Sequence, residues 1–179
     1  MSHWGRCARL GILMIVAVSL LGARDRGTLP TPPSATAPQE VTVIGLLVDD
    51  RTHAPTIVLQ GKRDRRTFAM MIGPAEAGGI ALPLQNVTPP RPLTHDLFLT
   101  LFGRLHVTVS KVIITDLRDN TYFATLYLSA NGAPMELDSR PSDAIALAIR
   151  AKAPVFAEER VFEKSEQSPA LPLEPGSRI

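Results

Sequence analysis

The residues best suited to chemistry begin with a short group at Arg91, Thr94, His95 and Asp96. Arg91 offers a guanidinium that can bind two phosphate oxygens at once, and His95 can carry a proton near neutral pH. Asp96 can hold a divalent ion or orient the imidazole ring. The same residues also suit a plain helix start, with Thr94 as the N-cap and Arg91 paired with Asp96. Both interpretations predict a helix N-terminus at this point.

A second group repeats this order of residue types further along the chain. Arg140 and Pro141 precede Ser142 and Asp143, and Asp138 stands just before them with Ser139. Two carboxylates around an arginine can bind a divalent ion or a phosphate group. Alternatively, this run is only a helix start, with proline in the first position and an acidic residue in the first turn.

Two further features complete the candidates. Glu76 places a carboxylate in the first turn of a predicted helix, where it either joins a site or only complements the helix dipole. The basic run Lys62–Arg66 either contacts a phosphate backbone or forms the solvated tip of a hairpin. The chain contains no Walker A loop, dinucleotide fingerprint, His-Glu-x-x-His or Gly-x-Ser-x-Gly motif. An active site must therefore be assembled from residues that are distant in sequence.

Charge and cysteine content exclude several classes of function. The 179 residues include 19 Lys+Arg and 17 Asp+Glu, which gives a formal charge of +2. Between Glu40 and Lys164 the basic and acidic residues are equal in number, so the domain lacks the broad basic field of many nucleic-acid-binding proteins. Cys7 is the only cysteine, which excludes a disulfide within the chain and a cysteine-based zinc site.

The N-terminal residues have the pattern of a secretory leader. Arg6 and Arg9 precede the uncharged apolar run 10–23, which is short for a membrane span. We therefore predict a signal peptide or N-terminal anchor over 1–23, a Pro/Thr/Ser linker over 24–39 and a protein that is secreted or periplasmic. An uncleaved run 10–23 would be its only attachment to a membrane. A Pro-rich tail, predicted to be disordered, occupies 166–179.

Residues 40–165 carry the strand and helix patterns of a single domain. The pattern predicts an α+β fold with a mainly antiparallel sheet of about six strands and about three helices, because hairpin signals dominate. Asn131-Gly132 is the strongest of those signals, since both residues tolerate positive φ. The predicted helices are Gly73–Leu84, one that starts at Thr94, and Pro141–Ala151. The last of these is apolar nearly all round, which predicts burial.

Several of these segments together resemble the bifunctional nuclease domain family. They are Arg91–Leu97, Val112–Leu117, Ser139–Ala148, and Gly73–Ala77 followed by Ile80. The resemblance covers about residues 41–163, and Gly79 stands where it would place an alanine. It implies an α+β domain with activity on DNA and RNA that associates with itself. The matching motif positions are Glu76, Arg91, Thr94, His95, Asp96, Asp116, Arg140, Ser142 and Asp143.

The residues and the resemblance together predict a nuclease that hydrolyses phosphodiester bonds of DNA and RNA outside the cytoplasm. Glu76, Asp96 and Asp143 are predicted to hold a divalent ion, Mg²⁺ or Mn²⁺, and His95 to act as general acid or base. Arg91, Arg140 and Ser142 are predicted to bind the phosphate. The alternative is a non-catalytic, oligomeric binding or assembly module in the cell envelope. The two hypotheses differ on whether these side chains converge on one cleft.

Overall fold

The computed structural model describes residues 37–49 and 52–167, and this part of the chain has the predicted α+β fold. Its strands are β1 Gln39–Val48, β2 Pro55–Gly61, β3 Thr67–Met71, β4 Val107–Arg118, β5 Thr121–Ala130, β6 Ala133–Ser139 and β7 Val155–Ala157. Its helices are α1 Pro74–Leu84, α2 Thr94–Arg104, α3 Pro141–Ala151 and α4 Glu159–Gln167. The predicted leader and most of the predicted linker and tail lie outside the described residues, but residues 166 and 167 belong to α4 rather than to a tail.

All seven strands form one sheet in the order β3-β2-β1-β7-β4-β5-β6. Neighbouring strands are antiparallel, as the hairpin signals predict, except that β7 runs parallel to β4. β7 has only three residues, yet it pairs with β1 on one side and β4 on the other. This short strand therefore joins the β1–β3 meander to the β4–β6 meander.

The turn between β5 and β6 confirms the strongest hairpin signal. Asn131 and Gly132 both have positive φ, 50° and 84°, as a two-residue primed turn requires. The flanking strands pair in register from Ala130–Ala133 to Ala124–Ser139. A residue that resists positive φ should therefore strain this hairpin.

Gly132→Val is expected to destabilise the fold by about 1 kcal/mol or more, because a β-branched residue resists positive φ. A Cβ at this position would meet open space, so the cost comes from the backbone alone. Gly45→Val is the matched control, because a Cβ at Gly45 also meets open space and its φ is not positive. Thermal unfolding of both variants measures the difference. Equal melting temperatures would show that the turn tolerates a branched residue.

The centre of the helical layer is α3, which confirms the burial predicted from its apolar sequence. Its buried residues include Ala144, Ile145, Leu147 and Ala148. It packs against α1, α2 and the strands β4 and β5. Because both of these helices pack against it, α3 fixes where the first turns of α1 and α2 lie relative to its own.

By contrast, α2 lies at the surface and contributes no fully buried residue. Its apolar stripe is largely open to solvent, with Leu97, Phe98, Leu101 and Leu105 each about half exposed. The predicted N-cap is wrong by one residue: the helix begins at Thr94, and Leu93 occupies the cap position. The Leu93 N–H donates to the Asp96 carboxylate at 2.8 Å, so Asp96 supplies the capping bond instead of a threonine hydroxyl.

The helix α4 was not expected, because most of its residues are polar. Val161 and Phe162 are fully buried, and the Phe162 ring packs edge-on against Phe68 at 5.1 Å. Glu159 of this helix accepts a hydrogen bond from Arg66, whose guanidinium also lies over the Phe162 ring. Arg63 also pairs with Glu159, so the basic run Lys62–Arg66 is tied to α4 through two of its residues rather than being only a solvated tip.

Tyr122 links two strands that are not neighbours in the sheet order. Its ring stacks on Phe68 at a centroid distance of 5.8 Å, and its hydroxyl donates to the Ala69 carbonyl at 3.0 Å. The sheet must therefore curl so that β3 approaches the start of β5. Burial raises the pKa of Tyr122 to about 12, so the phenol stays protonated at physiological pH.

In the stretches 37–49 and 52–167, no helix has the length and apolar character needed to cross a bilayer.

Candidate active site

The first turns of α1, α2 and α3 bring four of the predicted site residues into one connected cluster. Arg140 Nη2 lies 2.8 Å from Glu76 Oε1, and Arg140 Nε donates to Asp143 Oδ2 at 2.6 Å. A second bond joins Arg140 Nη2 to Asp143 Oδ1 at 3.1 Å. His95 Nε2 lies 3.4 Å from the same Asp143 oxygen. We call Glu76, His95, Arg140 and Asp143 the four-residue cluster.

The cluster is enclosed on one side and open on the other. The side chains of His95 and Glu76 are 13 % and 19 % exposed, whereas that of Arg140 is 65 % exposed. The carboxylates of Asp143 and Glu76 raise the pKa of Arg140, which therefore stays charged. A cation that faces solvent beside a sheltered imidazole can meet an anionic group arriving from outside.

Gly79 makes room for the imidazole. A Cβ at this position would lie 2.8 Å from His95 Cε1 and 3.1 Å from His95 Nδ1. The neighbouring Gly78 has nothing within 4 Å of such a Cβ. The glycine at 79, where the resemblance would place alanine, therefore permits close approach of α1 to the His95 ring.

Gly79→Ala is expected to displace the His95 ring, whereas Gly78→Ala is not. Both changes raise helix propensity, so Gly78→Ala should stabilise α1 by about 0.5–1 kcal/mol. Gly79→Ala should stabilise less, because the His95 ring must move away from the new Cβ. Thermal unfolding compares the stabilities, and the NMR signals of the His95 imidazole report its position. Equal stabilisation with unchanged His95 signals would contradict the close approach.

Asp96 does not join the four-residue cluster, although it follows His95 directly. Its Oδ1 accepts a hydrogen bond from Arg150 Nε at 2.8 Å, and its Oδ2 accepts the Leu93 N–H. Burial alone would raise the pKa of Asp96, but the bonds from Leu93 and Arg150 outweigh it and lower that pKa. The partner predicted for Asp96 under the helix-start interpretation was Arg91; the structure shows Arg150 instead.

Arg150 is the site residue that sequence reasoning missed. Its side chain is only 9 % exposed, and its Nη1 donates to the carbonyls of Gly79 at 2.5 Å and Ala146 at 3.0 Å. Through these bonds and Asp96 it connects α1, α2 and α3. The sequence feature that could have identified Arg150 is a charged residue at the end of a helix that is otherwise apolar and buried.

The remaining predicted residues occupy three different places. Ser142 is 7 % exposed in the first turn of α3, next to Arg140 and Asp143. Arg91 is exposed before α2 and forms no ion pair with any residue that the structure describes. Asp116 lies in β4 and pairs with Lys164 at 2.5 Å, outside the four-residue cluster. Ser142 thus lies beside two cluster residues in the chain, whereas Arg91 and Asp116 lie apart from the cluster.

The predicted three-carboxylate metal site does not fit this arrangement. In the described part of the chain, no three His, Cys, Asp or Glu side chains are placed to hold a metal ion. The Arg140 guanidinium occupies the position between Glu76 and Asp143 that a cation would take, and Asp96 is committed to Arg150. The ion requirement therefore stays a prediction, and no catalytic step is derived through it.

The fold and the cluster together define an α+β domain whose polar site is built from three helix N-termini. A model of the bifunctional nuclease domain matches residues 57–170, which is more than half of the chain. The chain belongs to the bifunctional nuclease domain family, as the sequence motifs predict.

The chain is also similar to individual bacterial and plant proteins. The chain is 37 % identical over 126 residues to an uncharacterised protein of Mycobacterium tuberculosis. The matched residues cover 70 % of this chain and 75 % of that protein. It is 35 % identical over 81 residues to bifunctional nuclease 1 of Oryza sativa subsp. japonica, covering 44 % of this chain and 24 % of the plant protein. A bifunctional nuclease of Oryza minuta matches to the same extent.

Proposed function

We propose that this protein is a nuclease that hydrolyses phosphodiester bonds of DNA and RNA. The observation that carries the proposal is the convergence of an imidazole, two carboxylates and a solvent-facing guanidinium in the four-residue cluster. Membership of the bifunctional nuclease domain family supports the same reaction class. The predicted secreted or periplasmic location is part of the proposal.

In this proposal Arg140 binds the scissile phosphate. Its guanidinium is held by Asp143 and Glu76 on one side and is mostly exposed on the other. Its Nε and Nη2 groups are used by Asp143 and Glu76, so the Nη1 amine is the part that donates to a phosphodiester oxygen and stabilises the extra negative charge of the transition state. Ser142 adds a hydroxyl donor at the N-terminus of α3, where the helix dipole also favours an anion. Arg91 contacts a neighbouring phosphate of the same strand.

His95 carries the proton. Its imidazole takes a proton from the attacking water as the water oxygen bonds to phosphorus, and the proton then passes to the departing oxygen of the broken P–O bond. Asp143 stabilises the imidazolium formed between these two transfers, because its carboxylate lies 3.4 Å from Nε2. Catalytic hydrogen bonds of this length often shorten when substrate binds.

The test is a cleavage assay of the full chain on fluorescent DNA and RNA oligonucleotides. His95→Asn is expected to lower the turnover number by about two orders of magnitude. His106→Asn is the matched control, because His106 is exposed, lies outside the cluster and has a positive φ that asparagine tolerates. Full activity of His95→Asn would remove the imidazole from the mechanism. Adding a chelator to the wild-type protein tests the predicted Mg²⁺ or Mn²⁺ requirement.

The second candidate is the non-catalytic assembly module, and the exposed apolar stripe of α2 favours it. Leu97, Phe98, Leu101 and Leu105 form a continuous face that a second copy of the chain can cover. The homo-oligomer predicted from the family resemblance needs such a face. A binding module would show self-association by sedimentation and no cleavage of either nucleic acid.

A further inference from the structure

A cavity of about 650 Å³ opens beside the four-residue cluster and has no role in the mechanism above. Its wall includes Phe68 and Met70 of β3, Tyr122 of β5, and Arg140 and Ser142 at the start of α3. The curl of the sheet that brings Tyr122 to β3 creates this space. Its volume lies within the range of pockets that hold small organic ligands.

The cavity is apolar and aromatic on one side and cationic on the other. Phe68 and Met70 are buried beneath it, each 4 % exposed, and the partly buried Tyr122, whose ring stacks on Phe68, is the aromatic side chain that presents surface to it. Arg140 belongs both to this wall and to the cluster, so the cavity adjoins the proposed phosphate site directly. Glu166 is the acidic residue in the wall, and Arg66 lies 4.0 Å from its carboxylate.

Ser142 marks the boundary between the cavity and the cluster. It is 7 % exposed, lines the cavity, and its hydroxyl makes no hydrogen bond to the described residues. The first backbone bond of α3 is donated by Ala144 to the Arg140 carbonyl, so the N–H groups of Ser142 and Asp143 precede the helical bonding pattern. A hydroxyl without a partner beside two such N–H groups suits an anionic oxygen.

We propose that this cavity holds the base and sugar of one unpaired nucleotide, next to the phosphate bound at Arg140. The inference rests on the proposed nuclease function and specifies its substrate as single-stranded nucleic acid. An aromatic and apolar wall beside a cation matches a nucleotide, which joins an aromatic base to an anionic phosphate. A base within a duplex cannot enter such a space without leaving its stack.

The charge of the domain agrees with this substrate. A protein that tracks a duplex needs a stripe of cations along the phosphate backbone. Basic and acidic residues balance between Glu40 and Lys164, so recognition must come from a local site rather than from a broad field. One inserted nucleotide and one clamped phosphate provide that local recognition.

The test narrows the cavity without touching the cluster. Thr67 lines the cavity in the exposed part of β3, so Thr67→Trp places a large ring over the space. Thr108→Trp is the matched control, because Thr108 is an exposed strand residue that does not line the cavity. Fluorescence anisotropy of the full chain with a non-hydrolysable phosphorothioate single strand measures binding separately from cleavage.

Thr67→Trp is expected to weaken binding of the single strand by about tenfold, the size of one lost stacking contact, with Thr108→Trp unchanged. The matching duplex should bind at least about tenfold more weakly than the single strand to the wild-type protein. Equal binding of duplex and single strand, or an unchanged Thr67→Trp, would overturn the cavity assignment.

A small diester, bis(4-nitrophenyl) phosphate, separates this inference from the proposed function. Hydrolysis of the diester by all three proteins, with no preference for single strands, would retain the nuclease and reject the nucleotide cavity. Binding of the single strand that depends on Thr67, without hydrolysis of any diester, would retain the cavity and reject the nuclease.

Discussion

Asp143→Asn is expected to lower the turnover number for DNA and RNA by at least about two orders of magnitude while the melting temperature barely changes. The neutral amide can no longer stabilise a charged His95, from which Asp143 Oδ1 is 3.4 Å away. It also weakens the hold on Arg140, which donates to both oxygens of the carboxylate. Asparagine keeps the shape of the side chain, so folding should survive.

The helix-start interpretation predicts a different outcome for the same variant. If Asp143 only complements the dipole of α3, the change should cost about 0.3–1 kcal/mol of stability and leave cleavage intact. Asp138→Asn is the matched control, because Asp138 is an exposed carboxylate of β6, close to Asp143 in sequence but outside the four-residue cluster. Full cleavage by folded Asp143→Asn would remove this carboxylate from the proposed site.

Arg150→Met is expected to have the largest effect on stability, about 3 kcal/mol, or a fall in melting temperature of about 10 °C. The change removes hydrogen bonds to Asp96 and to the carbonyls of Gly79 and Ala146. It also leaves a partly buried carboxylate without its partner. Methionine fills a similar volume, so the expected loss of stability comes from the missing charge and hydrogen bonds rather than from a cavity.

A control variant and a double variant test whether the effect of Arg150→Met comes from its partly buried ion pair with Asp96. Arg160→Met removes an exposed ion pair with Glu158 and should cost less than about 1 kcal/mol. Arg150→Met combined with Asp96→Asn should be less destabilised than the sum of the single variants, because the unpaired charge is gone. Differential scanning calorimetry measures the four variants, including Asp96→Asn alone, against the wild-type protein. Additive effects would show that Arg150 and Asp96 act independently.

The sequence predicted all four residues of the cluster because they are local features of helix starts. Glu76, His95, Arg140 and Asp143 could each be placed at a helix start from proline, hydroxyl and acidic residues nearby. Asp96 was assigned to the same group because it adjoins His95, but adjacent helical residues point in different directions. Its bond to Arg150 depends on the packing of α2 against α3, which no local pattern encodes.

For the fold as well, local sequence patterns predicted the local elements but not how distant segments pack together. Hairpins and the buried α3 follow from turn residues and from the spacing of apolar residues. The helix α4 was missed because only Val161 and Phe162 anchor it, and the other residues are mostly polar. The position of β7 could not be inferred either, because its pairing with β1 joins residues more than a hundred positions apart in the chain.

The placement of β7 also constrains the order of folding. Synthesis proceeds from the N-terminus, so the β1–β3 and β4–β6 meanders emerge while the strand that belongs between them is still missing. Until Val155–Ala157 arrives, β1 and β4 each present an open edge that can pair with a foreign strand. Sheet closure then depends on a three-residue segment that must find both edges at once. The nascent domain is therefore most exposed to aggregation just before its last strand docks.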